Sequence, residues 1–302
     1  MQTRLEHQKQ IKVSVIIVNW NTRDLLRACL ASLHQDPNIK HIEIVVVDNA
    51  SDDDSVGMVR SEFPKVSIIE NKSNIGYARA ANQALKITCA PYCLLMNSDI
   101  LVLNGAIWRL LEFMECDPSI GITGGRVLNP DKSLQQSCLQ YPSILNILLW
   151  GTGLSRVFRH SRFFGREDMT WWKADQPCEV EAVKGCFFLI RKEAMNKVGL
   201  MDEDYFLYSE ETDWCYRFKK SGYKVMFTPK AEVIHYDGAS TRQVPLRSRF
   251  LFHKSKLMFF RKRKDLSTFV LASLLTFLFI VPRLPVWLRY RFFYQKGIRT
   301  LF

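Results

Sequence analysis

Three runs in the first hundred residues are apolar at nearly every consecutive position: Val13–Asn19 (VSVIIVN), residues 42–47 and residues 92–96. A strand that is apolar throughout must be covered on both faces, so such runs predict buried parallel strands rather than one-sided antiparallel ones. After the first run, Thr22 suits the cap of a helix over 23–34, where Leu25, Leu26, Cys29, Leu30 and Leu33 form one apolar stripe. The second run ends in Asp48, and Ser51 or Asp52 is placed to cap a helix that reaches Phe63 before Pro64. A short strand over 66–69, a helix over 76–87 and, beyond the third run, a helix over 106–116 continue the alternation. The pattern predicts an α/β fold, a mostly parallel sheet flanked by helices.

Residues 125–180 lack such periodicity and receive no assigned element. Regularity returns as a strand over 187–190, helices over 191–198 and 210–221, the latter stopped by Gly222, and a strand over 224–228. The chain of 302 residues suffices for one large domain or two. Its formal charge of +12 lies wholly in residues 242–302, which hold 14 Lys/Arg and one acid, against 28 basic and 29 acidic residues before them. A neutral body with a basic tail does not suit a nucleic-acid reader, and no nucleic-acid partner is expected. Residues 266–281 are uncharged and follow Arg261-Lys262-Arg263-Lys264, with an aromatic cluster over 287–294. This predicts a segment that spans, re-enters or lies on an anionic membrane. The expected division is a catalytic domain over 1–242 and a basic, apolar, membrane-associating segment over 243–302. Eight cysteines without a CxxC pair read as reduced thiols, and residues 1–12 lack the apolar core of a secretory signal. Both point to the cytoplasmic side of a membrane.

In an open parallel sheet, ligands bind beyond the carboxyl ends of the strands, where the strand order reverses. Asp48 closes VVVD and Asp99 closes LLMNSD, two acids on different strands at such ends. No GxGxxG follows the first strand, which leads into Asn19-Trp20-Asn21-Thr22, and no GxxxxGK[ST] occurs. Acids at the rim suit a nucleoside held by hydrogen bonds, with its diphosphate bridged through a hard divalent cation. A third acidic block, Ser209-Glu210-Glu211-Thr212-Asp213-Trp214, opens a helix on which Glu210 and Asp213 share a face and Glu211 points elsewhere. One of these carboxylates is a candidate general base for an acceptor hydroxyl.

VSVIIVNWN, VVVDNASDD, NKSNIGYARAAN, LLMNSD, VKGCFFLIRKEAM, GLMDEDYFLYSEETDWCYR and VIHYDGAST resemble, in order and spacing, the blocks of family 2 glycosyltransferases. The resemblance covers about residues 12–242 and is nearest to rhamnosyltransferase-like enzymes of bacterial cell-surface polysaccharide synthesis. It implies a GT-A fold, an inverting displacement, a nucleoside-diphosphate sugar donor such as dTDP-rhamnose, Mg2+ or Mn2+, and a lipid-linked saccharide acceptor. By position it assigns Asn19, Asp48, Asn49, Asn74, Gly76, Arg79, Asn82, Asn97 and Asp99 to the nucleotide sugar, with Asp48 at the nucleobase. Asp99 with His235 would serve the metal, and Glu211, with Glu210 and Asp213 beside it, the catalysis. Two departures stand out: Asn97 replaces the first acid of the metal motif, and a Glu, with Glu210 adjacent, occupies the base position. A nucleotidyltransferase is disfavoured because residues 19–23 contain no glycine, and an inactive docking protein because Asp48, Asp99 and Glu211 are intact.

Overall fold

The computed structural model describes residues 11–238, 243–283 and 285. The first half follows the expected alternation: β1 (Val13–Asn19), α1 (Arg23–His34), β2 (Ile42–Asp48), α2 (Ser55–Glu62), β3 (Ser67–Glu70), α3 (Tyr77–Ile87) and β4 (Tyr92–Asn97). β5 (Ile100–Val102), α4 (Ala106–Glu115) and β6 (Ile120–Leu128) follow. The stretch without sequence periodicity holds β7 (Leu134–Gln135), β8 (Cys138–Leu139), α5 (Ile144–Gly151), α6 (Leu154–Val157), β9 (Cys178–Glu179) and β10 (Ala182–Val183). β11 (Phe187–Arg191), α7 (Lys192–Val198), α8 (Glu210–Lys220), β12 (Lys224–His235), α9 (Pro245–Arg263) and α10 (Leu266–Ile280) complete the described chain.

The main sheet runs β3-β2-β1-β4-β11-β6-β12-β5. β3, β2, β1 and β4 are mutually parallel, whereas β11 lies antiparallel between β4 and β6, so the far half is mixed. Consecutive apolar residues in β1 serve both faces: Val13, Val15 and Ile17 pack with Leu26, Leu30 and Leu110, and Ile16 packs with Ala81, Trp214 and Phe218. Burying each such side chain contributes roughly 1.5–3 kcal/mol, which explains why β1 carries no polar face.

Two local expectations fail. Thr22 stands at the cap of α1, but its hydroxyl bonds Asn19 Oδ1 (2.7 Å) and Ser98 Oγ (2.7 Å), and Asp53 Oδ2 accepts from the Arg23 N–H instead (2.7 Å). Ser51 and Asp52 precede α2 by several residues and instead tie the β2 loop to Asn19 and Asn21. The last strand also runs past its expected end at Thr228. Pro229 removes a ladder donor there, and the pairing with β6 shifts register between Thr228 and Glu232 before continuing to His235. That bulge delivers His235 opposite Ile100, and the Tyr236 N–H donates to Asp99 O (3.0 Å).

Candidate active site

The strand order reverses between β1 and β4, and a cavity of about 580 Å3 opens beyond their carboxyl ends. Asn97, Ser98 and Asp99 reach it from β4, Asn49, Asn74 and Gly76 from the β2 and α3 side, and Glu210 and Glu211 from α8. Sequence reading placed all eight apart along the chain except for their short local blocks. The fold brings them to one cavity.

Asn19 and Asp48 lie beneath its surface rather than on it. Asn19 Nδ2 donates to Asp48 Oδ1 (3.0 Å) and Ser51 Oγ (3.1 Å), while the Ser51 N–H donates to Asp48 Oδ2 (2.9 Å). Both Asp48 oxygens therefore already accept a hydrogen bond, and the carboxylate holds the β1 and β2 ends together. Asn49, next in sequence, lines the cavity and donates from Nδ2 to Gly76 O (3.2 Å) and Asn74 Oδ1 (3.3 Å). Gly76 has φ 88, and a Cβ there would fall 2.5 Å from the Phe206 carbonyl oxygen, which accepts from the Tyr77 N–H (2.7 Å). Only glycine fits that crossing.

Arg79 and Asn82 do not line the cavity. In the first and second turns of α3, they face the 201–203 loop: Asn82 Nδ2 donates to Met201 O (2.9 Å) and Glu203 Oε1 (3.0 Å), and Arg79 Nε donates to Glu203 O (3.3 Å). The helix turns their side chains away after its first residues, a direction that a sequence block does not reveal.

Asp99 is 7% exposed, and its Oδ1 makes no hydrogen bond although His235 Nε2 lies 3.2 Å away. His235 Nδ1 contacts Gln135 Oε1 (2.6 Å), which fixes the ring, and Asn97 Nδ2 approaches Nε2 (3.3 Å). With Nδ1 donating to Gln135, Nε2 accepts from Asn97 Nδ2 and lies beside the unpaired Asp99 oxygen, so a cation there would take the Nε2 lone pair from Asn97. This pair of hard and borderline donors fits a divalent cation, whose remaining ligands would have to come from substrate oxygens and water. Among the described residues, no group of three or more His, Cys, Asp or Glu is placed to hold a metal.

Glu210 and Glu211 are buried at the start of α8, 4% and 9% exposed, and Glu210 Oε2 has no hydrogen-bond partner. Burial raises the pKa of both, further for Glu210, where the Glu211 charge adds to it. Backbone N–H groups of the first turn, Lys184 and the Thr212 hydroxyl restrain the rise at Glu211. Four consecutive residues, Ser209 to Thr212, line the cavity, so α8 meets it with its end and the face assignment made from helical spacing does not hold. Tyr208 and Ser209, directly before, adopt left-handed backbone (φ 70 and 64), a conformation costing non-glycine residues on the order of 1–3 kcal/mol. Asp213 faces away from the cavity. Fully buried, it accepts from Arg217 Nε (2.9 Å), Arg263 Nε (2.6 Å) and Nη2 (3.0 Å), and Tyr205 Oη (3.4 Å).

Several cavity residues were not singled out in sequence. Lys184 was visible inside VKGCFF, but Gln135 and Trp150 lie in the stretch without periodicity. α9 contributes Arg247, Leu251, Phe252 and Lys256, and its Ser255 Oγ donates to Leu207 O (2.7 Å). The expected boundary at residue 242 thus falls between elements that pack together. Ala239 to Thr241, the end of the VIHYDGAST block, Arg242 and the 287–294 aromatic cluster lie outside the described residues.

The sequence profile of glycosyl transferase family 2 matches residues 14–199. N-acetylglucosaminyl-diphospho-decaprenol L-rhamnosyltransferase of Mycobacterium tuberculosis is 26% identical over 265 residues, 82% of this chain and 84% of that protein. A poly-beta-1,6-N-acetyl-D-glucosamine synthase of Staphylococcus epidermidis is 21% identical over 232 residues, 75% of this chain and 50% of that protein. Among solved structures, a mannosyltransferase from Pyrobaculum calidifontis in complex with GDP-Man and Mn2+ has a TM-score of 0.58 at 18% identity, covering 88% of this chain and 69% of that one. The GT-A fold is shared, and the family match spans more than half of the sequence. The chain belongs to glycosyl transferase family 2 and is a glycosyltransferase of polysaccharide or cell-wall biosynthesis.

Proposed function

We propose that this enzyme transfers one sugar, with inversion, from a nucleoside-diphosphate donor to a saccharide carried on a lipid diphosphate at the cytoplasmic face of a membrane. The observation that carries the reading is one cavity lined both by the buried Glu210 and Glu211 and by the Asp99–His235 pair. Rhamnose from dTDP-rhamnose is the donor favoured by similarity to the mycobacterial rhamnosyltransferase over 82% of the chain.

Glu211 and Glu210 are a coupled pair of buried carboxyls. Burial raises both, Glu210 further because the Glu211 charge adds to it, whereas the first-turn N–H groups, Lys184 and the Thr212 hydroxyl favour the anion at Glu211, which is therefore assigned as the base. Glu211 takes the proton of the acceptor hydroxyl as that oxygen forms a bond to the sugar C1. The bond from C1 to the donor diphosphate breaks on the opposite face, so the configuration inverts and the nucleoside diphosphate leaves. Asp99 and His235 would hold Mg2+ or Mn2+, which when bound offsets the charge growing on the leaving group. Asn49 and Asn74 supply amides for the nucleotide, and Asp48 keeps that rim rigid from below.

Purified protein incubated with Mn2+, a panel of nucleotide sugars and a lipid-diphosphate saccharide tests the reading. Release of one nucleoside diphosphate together with a product of inverted anomeric configuration is expected. Retained configuration, or no donor turned over with or without metal, would refute it.

A further inference from the structure

Residues 144–166 contain no acid and carry Arg156, Arg159, Arg162 and Arg166. Beyond α5 this stretch exposes apolar side chains among its arginines: Val157 is 71% exposed, Phe158 50% and Phe163 54%. Arg156 and Arg159 are themselves exposed, and no ion pair joins them to an acid among the described residues. Water solvates the guanidinium groups but not the apolar side chains between them. A phospholipid headgroup layer suits both, because phosphates meet the guanidinium groups and acyl chains receive the aromatic rings.

The uncharged α10 extends the same surface. Its inner face packs Ala272 against Ile147 of α5 and Phe260 of α9, while Leu266, Leu274, Phe277 and Leu278 point outward at 75%, 63%, 70% and 61% exposure. α5 and α10 approach closely at Gly151, where a Cβ would fall 2.1 Å from the Phe279 ring, and Arg283 Nη2 donates to Gly151 O (2.7 Å). Gly151 directly precedes the arginine-rich stretch, which therefore emerges beside the end of α10. α9, joined to α10 by two residues and packed on it, carries seven Lys/Arg and no acid. A helix held along its side by such a neighbour cannot cross hydrocarbon without drawing those charges in.

We propose that the outer face of α10 and residues 154–163 form one surface that docks on an anionic phospholipid bilayer, with α10 lying along the interface rather than crossing it. The inference rests on the functional reading only in taking the acceptor to be lipid-borne. Trp150 and Thr276 line the catalytic cavity, so docking in this way holds that wall of the cavity against the bilayer.

Flotation of the full chain with sealed phosphatidylcholine vesicles, with and without phosphatidylglycerol, tests the surface. The parent is expected to float with anionic vesicles and to be weakened by salt. Arg156→Gln/Arg159→Gln should bind about 30-fold less, given the usual contribution of each basic residue near a charged membrane, and Val157→Ser/Phe158→Ser should also bind less through lost apolar burial. Melting temperature and donor hydrolysis without vesicles should be unchanged, and transfer should drop for a vesicle-borne acceptor but not for a detergent-solubilised one. Equal flotation of parent and variants, or parent binding indifferent to phosphatidylglycerol, would overturn the proposal. A parent that transfers no sugar while the variants still lose flotation would refute the functional reading and leave the docking surface standing.

Discussion

Two sets of buried carboxylates in this protein live in opposite circumstances. Asp48 at the end of β2 and Asp213 within α8 have every oxygen engaged, by Asn19 and Ser51 in one case and by Arg217, Arg263 and Tyr205 in the other. Glu210, three residues before Asp213 on the same helix, is as deeply buried but has an oxygen with no partner, and so does Asp99 at the β4 rim. A carboxylate surrounded by donors ties elements together, and losing a donor leaves its charge stranded. One without donors costs stability, which is the condition of a group poised to receive a proton or a cation, and at Glu210 burial also raises the pKa. We assign Asp48 and Asp213, engaged by distant elements, to the fold, and Glu210 and Asp99, each with an unpartnered oxygen, together with Glu211, held by donors of its own first turn and by Lys184, to the chemistry.

Breaking the engaged set should have the largest effect, and it should fall on stability. Arg263→Met removes two of the bonds that hold Asp213 and is expected to cost about 3–5 kcal/mol, read by urea unfolding, with turnover per folded molecule little changed. A large loss of turnover at unchanged stability would erase the distinction. Asp99→Asn should do the reverse. Melting is expected to stay near the parent's, while donor turnover falls about 10²–10³-fold, the usual effect of removing one group that offsets developing charge.

Glu210→Gln sharpens the comparison with the smallest effect and an opposite sign. The folded protein holds protons on the Glu210–Glu211 pair at pH values where unfolded glutamate has lost them. Stability contributed by the pair is therefore present below the ordinary glutamate range and declines as pH rises through the raised folded values. Replacing Glu210 should remove part of that decline, stabilising the protein at neutral pH by on the order of 1–3 kcal/mol and leaving it unchanged below the glutamate range. In the pH profile of transfer, activity falls as Glu211 is protonated. Glu211 owes its raised pKa to burial rather than to a charge on Glu210, so in Glu210→Gln that limb should stay in place.

The elements of the parallel half were legible because their causes are local. Periodicity alone places α1 at its observed bounds, and the apolar runs place β1, β2 and β4. The rim acids Asp48 and Asp99 were legible for the same reason. Whether an acid is engaged is decided by residues far away in sequence: Asn19 lies 29 positions from Asp48, and Arg263 lies 50 from Asp213. No local pattern separates Asp213 from Glu210. Nor does one show that Arg79 and Asn82 turn toward the 201–203 loop, or that a bulge at Pro229 carries β12 on to His235. The cavity wall built from α5 and α9 was the least legible, because short irregular strands and a helix whose apolar residues follow no single face leave no periodic signal.

Measuring sugar transfer, donor binding and unfolding side by side for Glu211→Gln and Asp213→Asn tests the distinction most directly. Glu211→Gln should bind donor and unfold like the parent while transfer falls about 10²–10⁴-fold, and Asp213→Asn should unfold far more easily while its folded fraction still turns over. Near-normal transfer by Glu211→Gln, or an inactive but fully stable Asp213→Asn, would contradict it.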